Sequence, residues 1–160
     1  MSENGFTTCL WFDGQALDAA QYYVSIFEDS SLGRITHTTA AGPAPAGEIL
    51  TVEFELNGQR FVGLNGGPEF TFTPAISFQV DCHSQEEVDY YYARLLEGGA
   101  ELQCGWVTDR YGVSWQVVPT VLIEMVSDPD PDRAARVTEA MLSMKKLDIA
   151  ALQRAYDAAG

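Results

Sequence analysis

The stretch that decides the fold is AISFQVD, residues Ala75 to Asp81, because it repeats an earlier one. FTTCLWFD, residues Phe6 to Asp13, is likewise a run of apolar, aromatic and β-branched residues closing on an aspartate. Short runs of this kind, ended by turn residues, read as buried strands. Laying Asp13 on Asp81 brings Thr7 onto Ala75, Leu10 onto Phe78 and Phe12 onto Val80. Few identities survive, so the weight falls on the segments that come after the two strands.

After the first strand, Leu17, Ala20, Tyr23, Val24 and Phe27 recur at three and four residues, the spacing of one helix face over Ala16 to Phe27. Gly33 to Ala40 reads as a strand, and AGPAPAG (Ala41 to Gly47) breaks the pattern with Pro and Gly. ILTVEFEL and RFVGLN come next, joined by Asn57-Gly58, a strong hairpin signal. After the second strand, Ser84 and Glu87 fit a capping box, and Gly98-Gly99 stops the helix begun there. AELQCGWVT and GVSWQVV flank a turn at Asp109 to Gly112, and VLIEMV is expected to add a strand. Each helix carries tyrosines in its third turn, Tyr22-Tyr23 and Tyr90-Tyr91-Tyr92. The order βαβββ therefore occurs twice, over 5–66 and 74–126, with GLNGGPEF as a linker. A single α+β domain whose order repeats by coincidence is the alternative. Residues 130–158 are expected to form a helical extension. There Asp130-Pro131 starts one helix, Val137, Met141 and Met144 share a face, and a second helix after Asp148 holds Leu152 and Tyr156.

The chain has 160 residues, with 23 acidic against 9 basic side chains and a net charge of −14. Such a field repels a phosphate backbone, so nucleic acid is not an expected partner. No apolar run approaches the ~20 residues that span a bilayer, and MSENGF lacks the features of a signal peptide. Three cysteines, Cys9, Cys82 and Cys104, form no C-x-x-C pair. An odd count without such a pair points to free thiols and a cytoplasmic location.

Tandem βαβββ modules, together with CLWFDG, EILTVEFELNGQRFVGLNGGPEF, PAISFQVDC and CGWVTDRYGVSWQVVP, resemble the vicinal oxygen chelate superfamily. That group includes glyoxalase I, bleomycin-resistance proteins and extradiol dioxygenases. Within it the chain is most similar to the PhnB-like branch, often labelled 3-demethylubiquinone-9 3-methyltransferase domains, and AMLSMKKLDIAALQRAY is also similar to that branch. The resemblance implies an α+β fold of tandem βαβββ modules forming a curved mixed sheet, plus C-terminal helices. It also implies a ligand cavity and a homodimer.

In metal-using members of the superfamily, the first and last strands of each module each give one ligand, usually His or Glu. The matching positions here fall on Thr7, Ala75 and Gln116, and near Asn65, the last uncertain by one residue. Ala75 cannot ligate, and the other three offer only neutral oxygen, a poor set for a transition metal. No metal and no other cofactor is therefore expected. His37 and His83 read as surface or turn residues, and no G-x-G-x-x-G loop opens a helix to hold a nucleotide-like methyl donor.

What remains is an uncharged cup. Strand parity puts Cys9 and Trp11 with Thr7, and Ser77 and Gln79 with Gln116. With Asn65 and with Trp106 near the rim, these eight residues are the expected lining for a small neutral or aromatic organic ligand. Glu53 and Glu55 should be neighbours on one solvent-facing side, and Glu69 and Glu101 suggest no acid–base pair. The leading reading is a metal-free binding protein. A metal-independent isomerase or transferase using Cys9, Cys104 or Gln116, and a sequestering protein for a cationic drug, are the alternatives.

Overall fold

A computed structural model describes residues 5–159, which divide into two compact units between Thr71 and Phe72. In the first, β1 (Thr8–Phe12) is followed by α1 (Ala16–Ile26), β2 (Ser31–His37), β3 (Ile49–Leu56) and β4 (Gln59–Asn65). In the second, β5 (Ser77–Cys82) is followed by α2 (Gln85–Leu96), β6 (Ala100–Glu101), β7 (Trp106–Thr108) and β8 (Ser114–Pro119). The strand orders are β1-β4-β3-β2 and β5-β8-β7-β6. In both, the first and last strands run parallel and the other neighbours antiparallel. The repeat seen in the sequence is thus a repeat of topology, laid down as two four-stranded mixed sheets.

Each sheet has one helix-covered face. In the first unit Leu10, Phe12, Val52, Phe54 and Phe61 pack beneath α1, with Phe54 and Phe61 stacked at 5.3 Å. The face α1 turns inward is Ala16, Ala19, Ala20, Tyr23 and Ile26, while Leu17 and Val24 are only half-buried. Small residues let the helix approach closely: a Cβ built on Gly63 of β4 would stand 3.1 Å from that of Ala16. The β3–β4 turn is tight, with Asn57 at φ 48° and Gly58 at φ 82°, the positive pair that an Asn-Gly hairpin requires.

In the second unit Val88, Tyr92 and Leu95 of α2 cover Val107, Trp115 and Val117. The capping box forms: Ser84 accepts from the Glu87 N–H at 3.1 Å, and Glu87 reaches back to the His83 N–H at 2.7 Å. AELQCGWVT is not one strand. Cys104 (φ 58°) and Gly105 (φ 83°) turn the chain between β6 and β7. Nor is VLIEMV a strand: it is α3 (Thr120–Val126), starting where β8 ends at Pro119. Its β-branched composition suggested a strand, but Leu122 and Met125, three apart, are the residues it buries. They join Val118 and the core of α4 (Pro131–Leu142) and α5 (Ile149–Asp157) in a separate cluster. Among the described residues no helix is long and apolar enough to cross a membrane.

Candidate ligand-binding faces

The face of each sheet that its helix leaves open is where the expected site residues fall, and ladder register decides which of them share it. In the second unit Gln79 pairs with Gln116, and Gln116 with Trp106, so the three form one row across β5, β8 and β7. The next row is Ser77, Ser114 and Thr108. Gln116 is tied to its neighbour row, its Nε2 donating to Ser77 Oγ at 2.9 Å, and Gln79 Nε2 donates to Asp81 Oδ1 at 2.9 Å. The Ser114 hydroxyl is 1% exposed and has no hydrogen-bond partner among the described residues.

In the first unit Thr7, Cys9 and Trp11 lie on the open face, but Asn65 does not. It shares parity with Phe61 and Gly63, on the side of α1. There its Oδ1 accepts from the Ala16 N–H at 2.9 Å and its Nδ2 donates to the Ile49 carbonyl at 3.1 Å. The side chain of Gln15, at the N-cap, makes no capping bond, so Asn65 caps the helix from the sheet. Register gives the reason for the displacement by one. Gln116 stands opposite Gln79, Gln79 matches Trp11 in the repeat, and Trp11 stands opposite Leu64. Leu64 is therefore the open-face counterpart of Gln116. Trp11 is already engaged: its indole N–H donates to the Gly67 carbonyl at 2.8 Å, and its ring meets Phe70 edge-on at 4.9 Å.

A cavity of about 410 Å3 opens on the first unit's sheet, its lining including Thr7, Ser31, Arg34, Glu53, Glu55 and Arg60. Sequence parity put Glu53 and Glu55 side by side but left the arginines unplaced. For Arg34 a register shift in β2 between Leu32 and Ile35 is why: parity does not carry through a bulge.

Burial makes two of the three thiols, Cys9 and Cys82, poor nucleophiles. Burial raises the Cys9 thiol. The Cys82 thiol is pushed up from the usual 9.0 to about 12, by burial first and then by the charges of Glu87 and Asp81. Folding thus favours the neutral Cys82. Its contribution to stability is constant below pH 9 and is lost as the pH climbs toward 12. In an alkaline titration followed by thiolate absorbance, Cys82 should ionise near pH 12 in the native chain and near pH 9 in denaturant. Native ionisation near pH 9 would contradict its burial.

The residue that sequence reasoning passed over is Asp109. It is 3% exposed, and its Oδ1 accepts from the N–H groups of Tyr111 (2.8 Å) and Val113 (3.1 Å). Its Oδ2 accepts from the Trp115 indole at 2.8 Å. The aspartate fixes the turn that delivers β8, and with it Gln116.

The family described as 3-demethylubiquinone-9 3-methyltransferase matches residues 4–118. The PhnB protein from Bacillus cereus, carried under the same description, is 36% identical over 73% of this chain and 100% of its own, with a TM-score of 0.66. The chain belongs to this PhnB-like family. Protein PA1353 from Pseudomonas aeruginosa, 20% identical over 71% of this chain and 96% of its own with a TM-score of 0.59, shares the fold. No curated protein matches.

The four positions that the resemblance assigns to a metal can now be placed on the structure. With Leu64 in place of Asn65, the four positions are Thr7, Leu64, Ala75 and Gln116. Two of them cannot ligate and none can supply charge or an imidazole nitrogen, so this set does not fit a divalent transition metal. Among the described residues no three His, Cys, Asp or Glu side chains are grouped to hold one elsewhere.

Proposed function

We propose that this PhnB-like chain binds a small organic molecule on the open faces of its modules without a metal, as a cytoplasmic homodimer. The observation that carries this reading is the row Gln79–Gln116–Trp106. It puts two amides beside an aromatic face where a metal-using relative would present a carboxylate. An amide donates as well as accepts, so it orients a ligand but cannot anchor a cation as a carboxylate does.

Enzymatic chemistry is less well supported, since Cys9 and Cys82 both have raised thiol pKa values. Transfer of a methyl group is supported by the family's description alone. The β1–α1 turn, Asp13-Gly14-Gln15, lacks the glycine pattern of a nucleotide-like donor site.

The test is elemental analysis of purified protein, together with dialysis against zinc and manganese for the wild type and Gln116→Glu. Both proteins should hold metal only substoichiometrically, because one carboxylate cannot compensate for Leu64 and Ala75. Phenol, a neutral aromatic probe, should bind Gln116→Ala about five- to tenfold more weakly than the wild type, the worth of ~1 kcal/mol for one hydrogen bond. Stoichiometric metal in the wild type, removed by a chelator with loss of phenol binding, would sink the proposal.

A further inference from the structure

We infer that the cavity on the first unit's open face is a subsite for a zwitterion, a small molecule carrying one carboxylate and one ammonium group. The inference rests on the reading of this face as ligand-binding and adds the chemical class. Arg34 and Arg60 are the only Lys or Arg among residues 1–71 of a chain with a net charge of −14, and both line this cavity. Glu53 and Glu55 line it with them. Two cations and two anions around one concavity give no net field, so neither a simple anion nor a simple cation is favoured. A molecule carrying both charges can satisfy both.

The arrangement of these groups leaves them available. Glu55 and Arg60 are direct cross-strand partners on β3 and β4, where opposite charges ordinarily pair. Arg60 instead turns across the sheet, donating from Nε (3.1 Å) and from Nη2 to the hydroxyl of Thr7, the residue before β1. A guanidinium has five N–H donors, so three remain. Thr7 holds the fork in place without neutralising it. Across β3, Ser31 stands opposite Glu55, and Gly33 lets β2 press against Glu53, where a Cβ would lie 3.2 Å from the Glu53 Cβ. Among the described residues no ion pair engages Arg34, Arg60, Glu53 or Glu55. Ion pairs form instead at Arg110–Glu97, Arg133–Asp130 and Lys146–Asp89. The carboxylate of a ligand can meet Arg60 and Arg34, and its ammonium Glu53 and Glu55.

Calorimetry with L-leucine, N-acetyl-L-leucine and L-leucinamide tests this, because the set removes one charge at a time from the same skeleton. L-leucine should bind at least about tenfold more tightly than either derivative, the usual worth of one charge-assisted contact. Arg60→Gln should weaken L-leucine by a similar factor and leave L-leucinamide unchanged. Glu53→Gln should weaken L-leucine and leave N-acetyl-L-leucine unchanged, with melting curves showing both variants folded. Equal binding of L-leucine and N-acetyl-L-leucine, or no binding of L-leucine by folded, metal-free protein, would overturn the inference while leaving the metal-free reading intact. Stoichiometric metal in the same samples would remove the broader reading instead.

Discussion

Asp109→Ala should destabilise the second module by about 3 kcal/mol, the largest effect expected of any single polar substitution in this chain. The carboxylate is 3% exposed and serves three donors: two turn amides, on Tyr111 and Val113, and the indole of Trp115. Alanine would strand them, and a buried donor left unsatisfied costs about 1–3 kcal/mol. Val113 and Trp115 are each 3% exposed, so water cannot easily take the place of the lost oxygens. The backbone bonds of the turn, Asp109 N–H to the Val113 carbonyl at 2.9 Å and Gly112 N–H to the Asp109 carbonyl at 3.0 Å, would hold only part of the geometry. Asp109→Asn should cost less. Its amide oxygen keeps the turn, but its NH2 group faces the indole N–H, donor against donor. Urea unfolding should show the midpoint falling in the order wild type, Asn, Ala with an unchanged slope. A loss below about 1 kcal/mol for alanine would mean that water reaches the turn. The site should respond too, since Gln116 is the next residue after Trp115 and takes its position from the same strand.

What could be read from the sequence divides along the line between local and non-local information. The two βαβββ orders, the Asn57-Gly58 hairpin, the Ser84–Glu87 cap and the helices beginning at Asp130 and Asp148 are all written within a few residues. They are found where expected, except that the last three strands of the second module come from AELQCGWVT, which splits into β6 and β7, and from GVSWQVV, while VLIEMV is α3. The open-face residues of the second module were legible by parity, because β5 and β8 each run without a register shift. Asn65 was misplaced because the last strand of a module pairs in parallel with the first, Asn65 standing opposite the distant Phe12. No local pattern fixes that register to better than one residue, and one residue reverses the face. Arg34 was invisible for a related reason: the irregularity in β2 breaks the alternation that would have placed it. The inward face of α1 was partly misassigned because leucine outranks alanine in hydropathy. Against Gly63 the fit is decided by size. Asp109 could be seen as a turn residue, but its bond to Trp115 required knowing that alternation turns Trp115 inward, beneath α2.

Deleting residues 129–160 should leave the second module unable to fold, even though the residues matched by the family end at Val118. Val118 is only 8% exposed, and it is buried in the cluster it forms with Leu122, Met125, Val137, Leu147 and Leu152. Val137, Leu147 and Leu152 have no exposed surface. Burial of each such side chain contributes about 2 kcal/mol, and their loss would also uncover Val118, Leu122 and Met125. The total is of the order of a small domain's whole stability, about 5–15 kcal/mol. Polar ties run the same way. The N–H groups of Cys104 and Gly105, in the β6–β7 turn, donate to the Met144 (2.9 Å) and Lys145 (2.7 Å) carbonyls. Gln85, at the start of α2, clamps the entry to α5, donating to the Leu147 carbonyl at 3.1 Å and accepting from the Ile149 N–H at 2.8 Å. The turn so held leads directly into Trp106, so the extension supports one end of the Gln79–Gln116–Trp106 row. Leu152→Ala gives the graded version: a loss of about 2–5 kcal/mol in urea unfolding, with the fold retained. A truncated chain that unfolds cooperatively at the full-length midpoint would show the helices to be an accessory. Loss of near-ultraviolet dichroism, with the protein recovered in aggregates, is the expected result.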